Sequence, residues 1–387
     1  MGIILICIGI VLLLFVLYAN SNFSKKTRIF SPYSLLTSSW YNYKKQFILQ
    51  NGRSIDPAQN NITTSEAQSY ALLRAVWIDD KPTFDLVWSW TEKNMKRPTD
   101  HLFGWRYGEL ANHTYGFMPN GGNNSAADAD SDIAYALVLA SKRWHNSAYL
   151  NDAKPIIADL WRYETATANS HRYLIAGNWA QDQQQLIVNV SYFAPYEWRT
   201  FAAVDPKDNW NSLINPAYAL LEKVGFAPLN TGKGIGLPPD WVAINRQTGA
   251  LSAPTETGLT TNYSFDAMRT PWRIALDYRW YKDPQAYTYL KNDYSFLAKE
   301  YVQKHKIVSG YTHNGQPIST VEDPAMYATS LGYFDTVNKN LAQKIYNDKI
   351  IRLYSNDQNT FNPKLPYYEQ NWLWFGAAFY NNFLSHF

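Results

Sequence analysis

The feature that most restricts the fold is a succession of eleven windows in which apolar residues recur at helical spacing: 65–78, 83–96, 130–143, 148–168, 196–203, 212–224, 267–280, 285–304, 324–333, 337–353 and 371–384. Strand signals are scarce. The clearest is "WVAINRQTGALSA", residues 241–253, where two short runs flank a Thr-Gly turn and read as a β-hairpin. No low-complexity linker, charge block or short-period repeat interrupts residues 30–387, which therefore read as one all-α domain. Helices in such number pack as a bundle, a solenoid or a closed helical barrel, and periodicity alone does not choose among them. Four loops, 51–64, 102–127, 192–196 and 228–265, concentrate carboxylates, aromatics and glycines just before a helix begins. If those helix starts converge at one end of a barrel, they form one cleft.

Ahead of this domain an uninterrupted apolar run extends from Ile3 to Tyr18. It is short for a membrane span, which takes about 20 residues, and long for the apolar stretch of a signal peptide, about 7–15. Residues 1–21 are expected to be an uncleaved signal anchor, with a signal peptide cleaved near Ala19-Asn20-Ser21 as the alternative. Lys25, Lys26 and Arg28 follow the run and no basic residue precedes it, which by the positive-inside rule argues against an outward-facing domain. The lone cysteine, Cys7, lies inside the run, so no cysteine nucleophile or cysteine metal site is available downstream. A net charge of +3 without long basic runs excludes nucleic acid as an expected partner. The 15 Trp and 29 Tyr are an unusual excess whose flat faces suit pyranose rings as well as cores, and core packing accounts for most of them.

Three carboxylate-bearing segments stand out. In "ITTSEAQSYALLRAVW", residues 62–77, Thr63 or Thr64 with Glu66 looks like a capping box, so Glu66 is either part of a helix cap or a chemical group. In "NNSAADADSDIAYALVLASKRW", residues 123–144, Asp128, Asp130 and Asp132 alternate before a helix. Acidic residues there favour the helix dipole. A calcium loop is the other reading, but Ile133 and Leu139 occupy the places of its glycine and closing glutamate. In "TNYSFDAMRTPWRIALDYRWY", residues 261–281, Asp266 precedes a helix carrying Arg269, Arg273 and Asp277.

The stretch Ala126–Trp144 resembles the signature of glycoside hydrolase family 8, A-[ST]-D-[AG]-D followed after two residues by I-A, with Ala127 in place of Ser or Thr. "TTSEAQSYAL" resembles that family's TSEGQSYG motif, with Ala67 and Ala71 in place of glycines. "FDAMRTPWRIALDY" resembles its D-A-x-R-x-P-W-R segment, and "NVSYFAPYEWRTFA", residues 189–202, its N-P-S-Y-F-A-P run with Val190 in place of proline. Four motifs in the family's order cover most of the chain. The resemblance implies an (α/α)6 barrel and inverting endo-hydrolysis of a β-linked glycan, with no cofactor and no metal. Carried over by motif position, it implies Glu66 as general acid, Asp266 as general base, Asp128 holding the distorted sugar, Arg269 on the base side and Tyr192 against the sugar or the water.

Trp105, Trp198, Tyr368 and Trp272 are candidate sugar platforms, each with a core side chain as its alternative. "HNGQPIST" and "LPPDW" read as rim loops. The overall expectation is a membrane-anchored, extracytoplasmic endo-β-1,4-glucanase-like enzyme acting on a polymer that the cell exports, with a polysaccharide synthase or export complex as a candidate partner. Cellulose-like glucan and an amino-sugar or mixed exopolysaccharide are equal candidates, with xylan and chitosan open. The competing readings are a non-catalytic polysaccharide-binding accessory and a polysaccharide lyase.

Overall fold

The computed structural model describes residues 31–230 and 232–387. The expected anchor at residues 1–21 lies outside them; among the described residues no helix is long and apolar enough to cross a membrane.

Two kinds of helix alternate along the chain. One kind is buried nearly all round: α2 (Ser65–Ile78), α4 (Ala127–Arg143), α6 (Pro195–Val204), α8 (Thr270–Tyr281), α11 (Pro324–Val337) and α13 (Tyr367–Tyr380). The other kind buries one stripe and exposes the rest: α1 (Pro32–Phe47), α3 (Lys81–Met95), α5 (Ser147–Tyr163), α7 (Ile214–Val224), α9 (Pro284–Asp293), α10 (Ser295–Lys304) and the short α12 (Lys339–Ile345). A helix without a polar face must be surrounded by protein. Accordingly the first set packs in a closed cycle, α2 on α4, α4 on α6, α6 on α8, α8 on α11, α11 on α13, and α13 back on α2. The second set packs outside it, with α3 on α2, α5 on α4, α9 on α8, α12 on α11 and α1 on α13. This is the two-layered ring expected of an (α/α)6 barrel.

Helix α1 had no counterpart among the sequence windows, yet it seals the ring by joining the two ends of the chain. Ser31 caps it and Pro32 starts it. The buried Arg74 of α2 donates to Asn371 of α13 at 2.9 Å and stacks against Trp40 and Tyr43 of α1. The inner helices also approach closely where glycine permits. A Cβ on Gly332 would lie 2.2 Å from the Pro271 carbonyl oxygen, and one on Gly376 2.5 Å from that of Ala328.

Several boundaries differ from the periodicity. Window 148–168 stops as a helix at Tyr163; Thr165–Ala168 is a strand pairing with His171–Leu174 across Asn169 and Ser170, both at positive φ. Window 285–304 breaks at Tyr294 into α9 and α10. Window 337–353 ends its α-helix at Ile345 and continues as a π turn, Tyr346–Ile350, and a 3-10 turn. The hairpin read at 241–253 is present as Val242–Asn245 and Leu251–Ser252, and it gains a third strand, Gln185–Val188, in register with Gln185 opposite Asn245. A second three-stranded sheet joins Thr63–Thr64, Arg106–Glu109 and Tyr115–Phe117. Both sheets stand at the end of the ring where α2, α4 and α8 begin.

Candidate active site

At that end lies a cleft of about 590 Å³ whose wall includes Glu66, Asp128, Tyr192, Asp266, Arg269 and Tyr367. Each comes from the start of an inner helix or the turn before it. The convergence expected from the four loops is therefore present.

Glu66 is the one residue of α2 that is not buried. The cap of α2 is Thr64, whose hydroxyl accepts the Ala67 N–H at 3.0 Å. Glu66 is thereby free of capping. One carboxyl oxygen accepts from the Tyr367 hydroxyl at 3.1 Å and the other from Arg269 Nη1 at 2.8 Å. Burial pushes the Glu66 carboxyl up to about 7, against the opposing pull of Arg269 and with Asp128 adding to the rise. A fifth of the side chain faces the cleft, which is enough to reach a ligand and too little to solvate an anion fully.

The three alternating aspartates divide between two faces, because residues two apart on a helix lie on opposed sides while Asp128 and Asp132, four apart, share one. Asp128 accepts from Arg269 Nη1 at 2.9 Å. Asp130 turns away, accepting the Phe103 N–H at 2.9 Å. Asp132 makes a bidentate pair with Arg273, both bonds 2.8 Å. They do not converge on a cation, and among the described residues no three His, Cys, Asp or Glu side chains are grouped to hold one. Burial also raises the Asp128 carboxyl, with Arg269 and Arg273 working against it.

Arg269 is the hub of the site. Besides Glu66 and Asp128 it donates from Nη2 to Asp266 at 2.6 Å, and its guanidinium stacks 5.2 Å from the Tyr192 ring. The sequence placed Arg269 on the base side alone; the fold sets it between all three carboxylates. Because Glu66 and Asp266 hold different nitrogens of one rigid guanidinium, their nearest oxygens are no more than about 8 Å apart. Asp266 keeps a third of its side chain exposed.

The aromatic expectations divide. Trp105 is 38% exposed on the cleft wall, fixed by its indole N–H to the Gly121 carbonyl at 2.9 Å. Trp198 is fully buried against Phe193, on the core face of α6, and is no sugar platform. Trp272 is likewise core, donating to the Phe375 carbonyl at 3.1 Å. Tyr368 is half-buried, and its hydroxyl donates to the carbonyl of Phe265, the residue before Asp266, at 2.5 Å. Three aromatic cleft residues escaped the sequence reading. Tyr367 was passed over for its neighbour. Trp179, in the loop "AGNW", and Trp241, in the rim segment "LPPDW", pack 6.2 Å apart and continue to Tyr192 at 6.0 Å. The signal was available for both, an aromatic beside glycine or proline in a loop.

Such an arrangement can hold a proton on one carboxyl at neutral pH, keep a second carboxylate facing open space across from it, and grip sugar faces on indole rings.

A sequence profile of glycosyl hydrolases family 8 matches residues 12–372. The chain is 32% identical over 245 residues to an endoglucanase of Cellulomonas uda, covering 63% of this chain and 64% of that protein. It is 28% identical over 331 residues to endoglucanase A of Acetivibrio thermocellus, covering 82% and 64%. In both cases it spans just under two thirds of the relative's length. Among solved structures, the endo-β-1,4-glucanase CMCax of Acetobacter xylinum aligns with a TM-score of 0.71 at 22% identity, over 91% of this chain and 98% of that one. A β-1,3-1,4-glucanase of Paenibacillus sp. X4 aligns with a TM-score of 0.76 at 22% identity, over 93% and 95%. These likenesses show the same fold.

Proposed function

The chain belongs to glycosyl hydrolase family 8, and from that premise we propose that it cleaves internal β-1,4 bonds of a glucan with inversion at the anomeric carbon. The observation that carries this reading is Glu66, a carboxyl pushed up to about 7 at the cleft wall while Asp266 stands across the same guanidinium. Glu66 is the general acid: it gives its proton to the leaving glycosidic oxygen. Asp266 is the general base, taking a proton from the water that attacks C1 from the opposite face. Inversion is taken from the family resemblance, since the bound of about 8 Å set by the shared guanidinium admits the spacing of inverting and of retaining enzymes alike. Asp128 and Tyr192 border the cleaved sugar, and Trp105, Trp179 and Trp241 stack against neighbouring ones.

The relatives named endoglucanases favour β-1,4-glucan over the amino-sugar polymer, xylan or chitosan. The apolar run before the domain is the basis for proposing a cell-surface location and work on a polymer the cell exports, beside a synthase or export complex. Of the departures from the family motifs, Ala67, Ala127 and Val190 are fully buried and remove nothing from the cleft, so no observation favours a non-catalytic accessory.

The test is product release by the full chain from soluble β-1,4-glucan, chitosan, xylan and mixed-linkage β-glucan, with the anomer of the new reducing end followed by proton NMR. The expected result is α-anomer released from β-1,4-glucan. Release of β-anomer defeats inversion, release only from another polymer defeats the substrate, and binding without release from any of them defeats the enzyme.

A further inference from the structure

Asp240 does not line the cleft, yet its side chain is 3% exposed and is wholly committed to the turn that carries Asp266. Oδ1 accepts the Ser264 N–H at 3.1 Å and the Ala267 N–H at 2.8 Å. Oδ2 accepts the Ser264 hydroxyl and the Thr260 hydroxyl, the latter at 3.2 Å. The donors lie on both sides of Asp266 in the chain. Asp266 is itself the N-cap of the 3-10 turn Ala267–Arg269 and makes no side-chain cap. An aspartate in that position ordinarily folds back onto the amides that follow it. The second and third of those amides, on Met268 and Arg269, donate to the carbonyls of Ser264 and Asp266, while Asp240 takes the Ala267 amide, and the Asp266 carboxylate is left to Arg269 and the cleft.

Among the described residues no cation pairs with Asp240, so burying an acid here works against stability unless the hydrogen bonds it accepts are needed. A neutral cap would satisfy the Ala267 amide without that penalty. Burial pushes the Asp240 carboxyl up to about 7, and the charge on Asp266 is the next contributor. The two groups are therefore neighbours electrostatically as well as along the turn. Asp240 is also continuous with the aromatic wall, since the next residue is Trp241.

We propose that Asp240 is the positioning residue of the general base: by bonding both ends of the Ser264–Ala267 turn from outside, it sets the direction in which the Asp266 carboxylate faces the water in the cleft. This rests on the assignment of Asp266 as base. It differs from a general structural role in a specific way, because it acts on attack by water and leaves proton donation by Glu66 intact.

The full chain, assayed on cellohexaose, provides the test. Asp240→Ala is expected to lower kcat by about 100-fold with KM changed less than about 3-fold, the pattern of a lost transition-state interaction. Sodium azide is expected to restore turnover. The azide anion attacks C1 as the glycosidic C–O bond breaks, the leaving oxygen takes the proton of Glu66, and the product is a glycosyl azide of inverted configuration. Asp240→Asn keeps an Oδ1 acceptor for both amides and is expected to stay within about 10-fold of wild type. Should the alanine variant lose its fold by circular dichroism, Ser264→Ala combined with Thr260→Val removes the Oδ2 partners and is expected to show a smaller fall in kcat with the same azide response. A folded Asp240→Ala variant, or in its place a folded Ser264→Ala/Thr260→Val variant, with kcat within about 3-fold of wild type overturns the proposal, as does a loss that azide does not relieve. An inactive wild type defeats the base assignment and this inference with it, whereas an active wild type with an indifferent Asp240 defeats this inference alone.

Discussion

The acid side and the base side of the cleft solve one problem differently. Each carboxylate stands at the start of an inner helix or its leading turn, where free amides compete for it. On the acid side a residue two positions away, Thr64, takes the amide of Ala67 and frees Glu66. On the base side the amide of Ala267 is taken by Asp240, from a different loop. Asp128 is a third variant, for the first amide of its helix donates to the Ala176 carbonyl at 3.1 Å. The environments differ too. Glu66 is enclosed and raised to about 7, while Asp266 keeps a third of its side chain open. A proton donor benefits from the enclosure, and a group that must meet a water benefits from the opening.

The largest expected effect separates the two sides by leaving group. Glu66→Gln and Asp266→Asn are each expected to lower kcat on cellohexaose by about 10³-fold, but on dinitrophenyl β-cellobioside, whose leaving group needs no proton, Glu66→Gln recovers to within about 10-fold of wild type and Asp266→Asn does not. Equal behaviour of the two variants on both substrates breaks the comparison.

Next is the shared cation. Arg269→Met leaves three carboxylates without their partner and is expected to destabilise the fold by about 3–5 kcal/mol at pH 8 in urea unfolding. Because Arg269 lowers the Glu66 and Asp128 pKa values, its loss raises both further, so the destabilisation shrinks toward pH 5 as those groups protonate.

The pH profile sharpens the contrast again. Glu66 donates only when protonated, and that form is present below pH 7 and disappears as pH rises through it, so kcat/KM on cellohexaose is expected to fall about tenfold per pH unit on the alkaline side. On the dinitrophenyl substrate that limb should vanish. Its persistence there assigns the titration to another group.

The smallest effect is at the acid-side cap. Thr64→Ala is expected to cost about 1 kcal/mol in thermal unfolding and to reduce kcat only a few-fold, since Tyr367 and Arg269 still hold Glu66. A loss as large as that of Asp240→Ala would show that the two caps are equivalent after all.

Much of this site was legible because its motifs are local. Glu66, Asp128, Tyr192, Asp266 and Arg269 sit in short runs whose residue order carries the resemblance, and all five line one cleft. The misreadings have a common cause. Trp198 and Trp272 were judged by type and proximity to a motif, but which way a residue faces depends on the helix's neighbours. Successive residues on a helix point about 100° apart, so Tyr367 reaches Glu66 and Tyr368 reaches the Phe265 carbonyl. Helix α1 was missed because its serines and tyrosines blur the apolar stripe, and it is fixed by contacts with α13 at the far end of the chain.

By itself the sequence determined most of the helices, the placement of acidic residues at their starts, and a threonine cap just before Glu66, because periodicity and capping act within one or two helical turns. The tertiary structure decided what those carboxylates can do. Arg269 meets Glu66 across 203 positions of chain and Asp128 across 141. Asp240 reaches past Asp266 to Ala267. Desolvation and charge depend on everything packed within a few ångströms, and only the closed ring brings those segments together.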